Sequence, residues 1–227
     1  MASRFLPNAL TWLCFILVAG ATILWLYMAL GHANHAGVKP TIFGVFAPPL
    51  LSDKSVGIFN TCTINTDENK VQSCESYVFK DSALADNLRA VFLRIPSGIL
   101  DNSEVIANNT ILPLGKTIIQ IYMAASIFQA ILLLMALGSF SWNFLKFWAI
   151  LTALFTILLQ FAVSIALVVL YYTCQKLPFV SDAADGFVPA FLFSFLSGGL
   201  NACAITGWVI GLGLSICCCI NNDTAMC

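Results

Sequence analysis

The segment FLPNALTWLCFILVAGATILWLYMALGHANHAGV, Phe5 to Val38, contains no Asp, Glu, Lys or Arg. Three further windows also lack these residues, at 117–145, 147–175 and 186–222. A membrane-spanning helix needs about 20 mostly apolar residues, so each window is long enough to cross a bilayer. The pattern predicts four spans, at residues 9–31, 117–139, 147–173 and 188–216.

The composition indicates that a lipid bilayer is the main solvent of this chain. Hydrophobic residues make up 59% of the sequence and charged residues 9%, against about 25% charged in soluble domains. The net charge of −1 and the lack of a basic block argue against nucleic-acid binding. No phosphate-binding glycine loop, nucleophile elbow or zinc-protease motif occurs, so the sequence predicts no enzyme, no cofactor and no metal site.

The first window also has features of a signal peptide, with Arg4 before it and small residues near Ala29 and Gly31. Its apolar core, Ala9 to Leu30, is longer than the roughly 7–15 residues of a typical signal. We therefore interpret it as a span that stays in the protein, with cleavage as the alternative.

The long first loop carries features that belong outside the cytosol. It contains two cysteines, Cys62 and Cys74, and a glycosylation sequon at Asn108. Since disulfides and glycans form outside the cytosol, we expect a multi-pass plasma-membrane glycoprotein with both termini cytoplasmic. A second sequon, at Asn222, would require the opposite orientation.

A run of three cysteines directly after the last predicted span supports the same orientation. Cysteines next to a membrane span are S-acylated (palmitoylated) on the cytoplasmic side, so this run predicts an acylated tail. The three predicted acylation sites are Cys217, Cys218 and Cys219.

This topology divides the chain into segments that alternate across the membrane. We expect the spans to form an all-α, left-handed four-helix bundle, with a small extracellular β-sheet and a short amphipathic helix in the first loop. The segments are a cytoplasmic N-terminus and first span (1–31), an extracellular loop (32–116), the second span (117–139), a cytoplasmic loop (140–146), the third span (147–173), a short extracellular loop (174–187), the fourth span (188–216) and a cysteine-rich cytoplasmic tail (217–227).

The first loop contains a polar segment, SVGIFNTCTINTDENKVQSCESYVF, Ser55 to Phe79. Alternating residue types over 55–64 predict one strand, and residues 72–78 predict a second. The polar stretch NTDENK between them predicts a turn, so the segment is typical of a β-hairpin. A further short strand is predicted at Thr41 to Phe46.

The two cysteines of this segment define the expected register of the hairpin. If Cys62 faces Cys74, then Ile64 faces Gln72, and a disulfide between neighbouring strands is geometrically reasonable. The bridge would close a short loop and stabilise it by about 3 kcal/mol. Either it holds the shape of a small contact domain, or it only stabilises an inert loop.

The loop continues with DSALADNLRAVFLRIPSG, which predicts a short amphipathic helix ended by Pro96 and Gly98. Its apolar face either covers the small sheet or binds a partner or the membrane surface. The residues that form this face at helical spacing are Leu84, Leu88, Val91, Phe92 and Ile95.

This layout resembles the claudin-like four-span superfamily. Claudins carry Gly-Leu-Trp-x-x-Cys and a second Cys about ten residues later, and here the matching residues are Gly57, Ile58, Phe59, Cys62 and Cys74. Leu is replaced by Ile and Trp by Phe, and the upstream loop Trp of claudins is missing. These departures are closer to the fungal branch, the PalI-type and eisosome-associated four-span proteins.

The resemblance implies a non-catalytic protein that organises membrane domains or cell-wall contacts. Such a protein would assemble as a homo-oligomer or with related four-span proteins, and its loop would meet an extracellular or cell-wall partner. The alternatives are an auxiliary signalling subunit or sensor, as in PalI-type proteins, and a pore formed between subunits. The PalI-type sensor has a long cytoplasmic tail, which the roughly ten residues after the last span do not provide.

Polar residues within the predicted spans mark contacts between helices. We expect each to hydrogen-bond a neighbouring helix, with a substrate path as the alternative. These residues are Gln120, Gln129, Gln160, Ser164 and Asn201. Trp25, near the outer end of the first span, is predicted to be an interfacial anchor.

The last span carries small residues at every fourth position, which predicts a face that another helix can approach closely. This face packs either inside the bundle or at the seam of a homo-oligomer. Its members are Gly199, Cys203, Gly207, Gly211 and Ser215.

Overall fold

The computed structural model describes residues 5–30, 39–41, 43–45, 53–58, 60–65, 70–76, 112–175, 180–181 and 187–220. These residues form four long helices, each with a stretch apolar enough to cross a membrane. The four predicted spans are confirmed, and the chain is a multi-pass membrane protein whose spans are all α-helical. The helices are α1 (Phe5–Leu30), α2 (Leu112–Gly138), α3 (Asn143–Gln175) and α4 (Ala190–Ile220).

A tight turn at residues 139–142 joins α2 to α3. The Ser139 N–H donates to the Met135 carbonyl at 2.9 Å, and the Trp142 N–H donates to the Gly138 carbonyl at 3.2 Å. Because α3 begins directly after this turn, Lys146 lies on the helix and not in the predicted loop 140–146.

Helix α4 is longer than the predicted fourth span, 188–216. Helix α4 continues past residue 216 to Ile220, because no Gly, Pro or charged residue interrupts the sequence there. The backbone of the cysteine run is therefore helical and belongs to the end of α4, and the side chains of the run lie outside the described part. S-acylation stays a prediction for these residues, which are Cys217, Cys218 and Cys219.

The segments between the helices contribute short strands. Five of them form a sheet in the order β5-β4-β3-β2-β6, with antiparallel neighbours, and β1 pairs in parallel with β7. The strands are β1 (Lys39–Thr41), β2 (Phe43–Val45), β3 (Asp53–Val56), β4 (Asn60–Asn65), β5 (Lys70–Ser76), β6 (Val180–Ser181) and β7 (Phe187–Pro189).

Both connecting segments contribute to the five-stranded sheet. Strand β6, between α3 and α4, pairs with β2 of the first loop through Val45–Val180 and Gly44–Ser181. The two loops therefore lie on the same side of the membrane, as an even number of spans requires. The sequence predicts no strand in residues 174–187, because strands of two or three residues are too short to show an alternating pattern.

In the hairpin of β4 and β5, one predicted pair of opposite residues is confirmed and another is wrong. Cys62 and Cys74 are register partners. Ile64 pairs with Val71 and not with Gln72, because the register shifts by one residue between Thr63 and Ile64. A β-bulge of this kind adds one residue to a strand. The predicted register was counted residue by residue from Cys62 and Cys74, so it does not include the extra residue.

The predicted single strand over 55–64 is wrong. Strand β3 ends at Val56 and β4 begins at Asn60, and the two pair antiparallel with Val56 opposite Thr61. Gly57 and Ile58 lie in the connection, and both are buried. The alternating residue types continue through this short reversal, so the sequence pattern does not reveal it.

The buried positions of each helix recur in alternating steps of three and four residues. A mean step of 3.5 residues places the buried side chains on one face of each helix. The left-handed packing expected from the sequence stays a prediction. On α1 these positions are Thr11, Cys14, Val18, Ala21, Trp25 and Met28, and on α4 they are Ala190, Ser194, Ser197, Asn201, Ala204, Trp208 and Gly211.

The chain divides into two compact units. Unit 1 comprises Met1–Leu24, Ala124–Phe161 and Phe195–Cys227, and unit 2 comprises Trp25–Met123 and Ala162–Ser194. The core of unit 1 is apolar and rich in alanine. It contains Cys14, Val18, Leu132, Ala136, Ala149, Ala153, Ala204 and Trp208.

Trp25 lies in the core of unit 2, so its predicted role as an interfacial anchor is wrong. Only 1% of it is exposed, because it occupies one of the repeating buried positions of α1. Its ring stacks on Tyr122 with a centroid distance of 4.6 Å and an interplanar angle of 10°. The Tyr122 hydroxyl also donates to the Trp25 carbonyl oxygen at 2.9 Å.

Candidate functional site

The most polar part of unit 1 is a group of buried and half-buried side chains that we call the amide layer. It consists of Thr22 on α1, Gln129 on α2, Gln160 on α3, and Ser197 and Asn201 on α4. Each lies near the middle of its span. An uncharged polar side chain at this depth requires a partner, because lipid offers none.

Amide-to-amide hydrogen bonds connect α2, α3 and α4. The Asn201 amide nitrogen donates to Gln129 Oε1 at 2.8 Å and to Gln160 Oε1 at 3.1 Å. The Gln160 amide nitrogen donates to Gln129 Oε1 at 3.1 Å and to Ser197 Oγ at 3.0 Å. Gln129 is thus the shared acceptor of the layer.

Backbone carbonyls of α1 complete the layer. The Gln129 amide nitrogen donates to Thr22 Oγ1 at 2.9 Å and to the Val18 carbonyl at 3.4 Å. The Thr22 hydroxyl also donates to Val18, and the Ser197 hydroxyl donates to the Ala21 carbonyl at 2.9 Å. All four helices are therefore joined by one hydrogen-bond network.

The balance of donors and acceptors fixes how these amides are oriented. Each amide nitrogen of Gln129, Gln160 and Asn201 donates two hydrogen bonds, which is its full capacity. Of the amide atoms in the layer, only Asn201 Oδ1 is without a partner among the described residues. Rotating the Asn201 amide by 180° would direct its oxygen at two other oxygens, so the network determines the orientation.

Some of the polar residues that were predicted to connect helices belong to the amide layer, and others do not. Gln129, Gln160 and Asn201 belong to it, and Ser164 is buried in unit 2. Gln120 is exposed, because it falls outside the repeat of buried positions on α2, so its prediction as a helix contact is wrong.

Two members of the layer were missed by the sequence analysis. Ser197 lies four residues before Asn201 and could have been found from this helical spacing. Thr22 carries no such signal, since a threonine within an apolar helix can satisfy its hydroxyl on its own backbone, as this one does with Val18.

The chemistry available to the amide layer is limited to hydrogen bonding. Its members carry no charge and no nucleophile other than two hydroxyls, which already donate to carbonyls. Among the described residues, no cluster of His, Cys, Asp and Glu could hold a metal ion. The layer is therefore suited to holding helices together in a lipid environment.

The predicted stripe of small residues on α4 divides into a buried and an exposed part. A Cβ atom on Gly207 would lie 2.5 Å from Cys14 Sγ, so α1 and α4 approach closely here, and Gly211 is buried. Gly199 and Cys203 are exposed, and a Cβ atom on Gly199 would meet nothing within 4 Å. The side chain of Ser215 lies outside the described part.

The other predicted sites fall in or near the sheet. Gly57 and Ile58 are buried beside the sheet strands, whereas Phe59 lies outside the described residues. The amphipathic helix over 81–98 and the sequon at Asn108 lie outside them as well. The register brings Cys62 and Cys74 together at the backbone level, and a disulfide between them stays a prediction.

Comparison with protein-family models and with curated proteins finds no match for this chain. The resemblance to claudin-like proteins therefore stays a prediction. It depends on the number of spans and on the short motif from Gly57 to Cys74.

Proposed function

We propose that this protein is a non-catalytic plasma-membrane protein that organises membrane domains or cell-surface contacts. It assembles laterally with copies of itself or related four-span proteins, and presents a sheet to an extracellular or cell-wall partner. The observation that carries this proposal is the five-stranded sheet, to which both loops on one side of the membrane contribute.

A sheet shared by both loops is suited to presenting a fixed surface. Strand β6 lies in the connection between α3 and α4. Its pairing with β2 therefore joins the first loop to this second loop. Three or more paired strands are needed for an independently stable sheet, and this one has five. A Cys62–Cys74 disulfide would add about 3 kcal/mol to the stability of its outer hairpin.

The exposed half of the α4 stripe supports lateral assembly. Most exposed positions on the helices carry large apolar side chains, such as Ile23, Leu134 and Leu158. On α4, Gly199 and Cys203 instead leave a shallow surface that faces lipid. Small residues on a membrane helix allow a second helix to approach closely and pack by van der Waals contact.

The packing of unit 1 favours an organising role over a pore through a single copy. The amide layer uses all its amide donors within the protein, and Leu132 and Trp208 belong to a buried apolar core in the same unit. In this proposal both termini are cytoplasmic and Asn108 is glycosylated. The cysteines at the end of α4 are S-acylated and favour ordered membrane.

Oxidative cross-linking in native membranes tests the assembly. A copper–phenanthroline treatment of the full chain should give a dimer that the Cys203→Ser variant loses. The matched control is Cys14→Ser, because Cys14 is buried and cannot reach a second copy. Absence of a dimer, or a dimer that Cys203→Ser leaves unchanged, would contradict assembly through this face.

A further inference from the structure

The exposed side of α3 is hydrophobic along almost the whole helix. Within the described part of α3, every exposed residue carries a large hydrophobic side chain. The first of these residues is Phe144 and the last is Tyr172, and Leu158, near the middle of the helix, is 65% exposed. In a chain that spans a membrane, lipid covers such a surface. We call the part from Phe144 to Val169 the lipid face of α3.

The length of the lipid face can be compared with the thickness of a bilayer. From Phe144 to Val169 the helix rises by about 38 Å, at about 1.5 Å per residue. Tyr172 is left out, because a tyrosine at the end of a span suits the headgroup region. The hydrocarbon core of a bilayer is about 30 Å thick on average and about 27 Å thick in the endoplasmic reticulum. The lipid face of an upright α3 is longer than either core.

Tilting of the helix does not remove this difference. Membrane helices tilt by about 20° on average and by about 40° at most. The lipid face projects about 35 Å across the membrane at the average tilt and about 29 Å at the largest tilt. A core of about 27 Å would therefore leave part of the face among headgroups or in water, where large apolar side chains are unfavourable.

The exposed polar residues of α2 indicate where the apolar region ends on the side of the loops. The side chains of Gln129 and Gln160 are hydrogen-bonded at 3.1 Å, so they define one common level on α2 and α3. Gln120 lies nine residues from Gln129, and Val169 lies nine residues from Gln160, which is about 14 Å along each helix. Because Gln120 is exposed, the change from acyl chains to headgroups falls at the end of the lipid face.

Helix α4 also requires a thick hydrocarbon core. Its exposed large hydrophobic side chains extend from Leu192 to Leu214, which is about 33 Å of helix. No charged residue lies between these two positions. At the average tilt this stretch projects about 31 Å, which again exceeds the core of the endoplasmic reticulum.

We propose that this protein fits a bilayer with a hydrocarbon core of about 35 Å and concentrates in the thicker regions of its membrane. A core of this thickness covers α3 from Phe144 to Val169, whereas a thinner one must stretch or leave one end of the face uncovered. The preference goes beyond the proposed function and does not rest on it, because it needs neither contact between copies nor an extracellular partner. Cross-linking through Cys203 can therefore fail while this preference holds, and the reverse.

Thermal unfolding in bilayers of graded thickness tests the proposal. The full chain is placed in nanodiscs of phosphatidylcholine with acyl chains of about 14 to about 24 carbons, so that the thickness changes and the headgroup does not. The unfolding midpoint should be highest in discs with a core of about 35 Å, and about 5 °C lower at about 27 Å. A highest midpoint at about 27 Å or below, or a midpoint that does not change with thickness, would overturn the proposal.

A pair of matched variants tests whether α3 causes the preference. Replacing both Ile165 and Val169 by Gln makes Phe161 the last residue of the lipid face, which is then about 12 Å shorter. The thickness that gives the highest midpoint should move to thinner discs. Replacing the same two residues by Leu keeps the face apolar and should keep the wild-type optimum. The same optimum in the Gln variant and in wild type would contradict the assignment to this face, and the wild-type series needs neither variant.

Discussion

The Asn201 side-chain nitrogen donates to Gln129 Oε1 at 2.8 Å, which links α4 to α2 inside unit 1. The same nitrogen donates to Gln160 Oε1 on α3, so one amide connects three helices. Two carboxamides that meet within a bundle define one axial alignment of their helices, because a shift by one residue would separate them. The amide layer therefore sets the register of helices whose remaining contacts are apolar and non-directional.

Replacing Asn201 by Leu should lower the stability of the bundle by about 1–2 kcal/mol, because Gln129 and Gln160 each lose a donor. Thermal unfolding in detergent micelles measures the change. The control is Gln120→Leu, at an exposed position of α2, and it should have little effect. Equal stability of the two variants would contradict a structural role for the layer.

Replacing Gly207 by Ala should destabilise the contact between α1 and α4 by about 1–3 kcal/mol, the typical range for overpacking. The new Cβ atom would lie 2.5 Å from Cys14 Sγ. Removing that sulfur in the Cys14→Ala, Gly207→Ala double variant should restore most of the loss. Gly199→Ala, where the space is open, is the control. An additive double-mutant cycle would show that the two residues do not interact.

Replacing Tyr122 by Phe should cost about 1 kcal/mol, because the hydroxyl that donates to the Trp25 carbonyl is lost while the stacked ring remains. Urea or detergent-induced unfolding measures the difference. Tyr172→Phe, which alters an exposed tyrosine on α3, should be neutral. If both variants unfold alike, the Tyr122 hydrogen bond does not contribute to stability.

Peptide mapping without reduction should recover Cys62 and Cys74 as one cross-linked peptide, since the two residues are register partners. Cys62→Ser and Cys74→Ser should then destabilise the sheet equally, by about 3 kcal/mol each. Free thiols at both positions in protein purified under oxidising conditions would remove the disulfide from the proposal, and with it much of the resemblance to claudins.

Some elements were predictable because their signal is continuous along the chain. The four spans follow from runs of residues without charge. The positions of Cys62 and Cys74 opposite each other follow from a hairpin with a polar turn. Strand β6 and the bulge beside Ile64 were not predictable, because each involves only one or two residues. The burial of Trp25 was missed since a tryptophan near the end of a span suits either an interface or a core.

That the chain crosses a membrane in four apolar helices follows from its sequence, because hydrophobicity and the lack of charge are properties that each segment has on its own. Which face of each helix lies inside depends on the packing of the helices against one another. Both faces of a membrane helix are apolar, so hydrophobicity alone does not distinguish lipid from core. Most residues on the inner face here are small or polar and recur at steps of three and four. The hydrogen-bond partners of the amide side chains lie on other helices, far away in sequence.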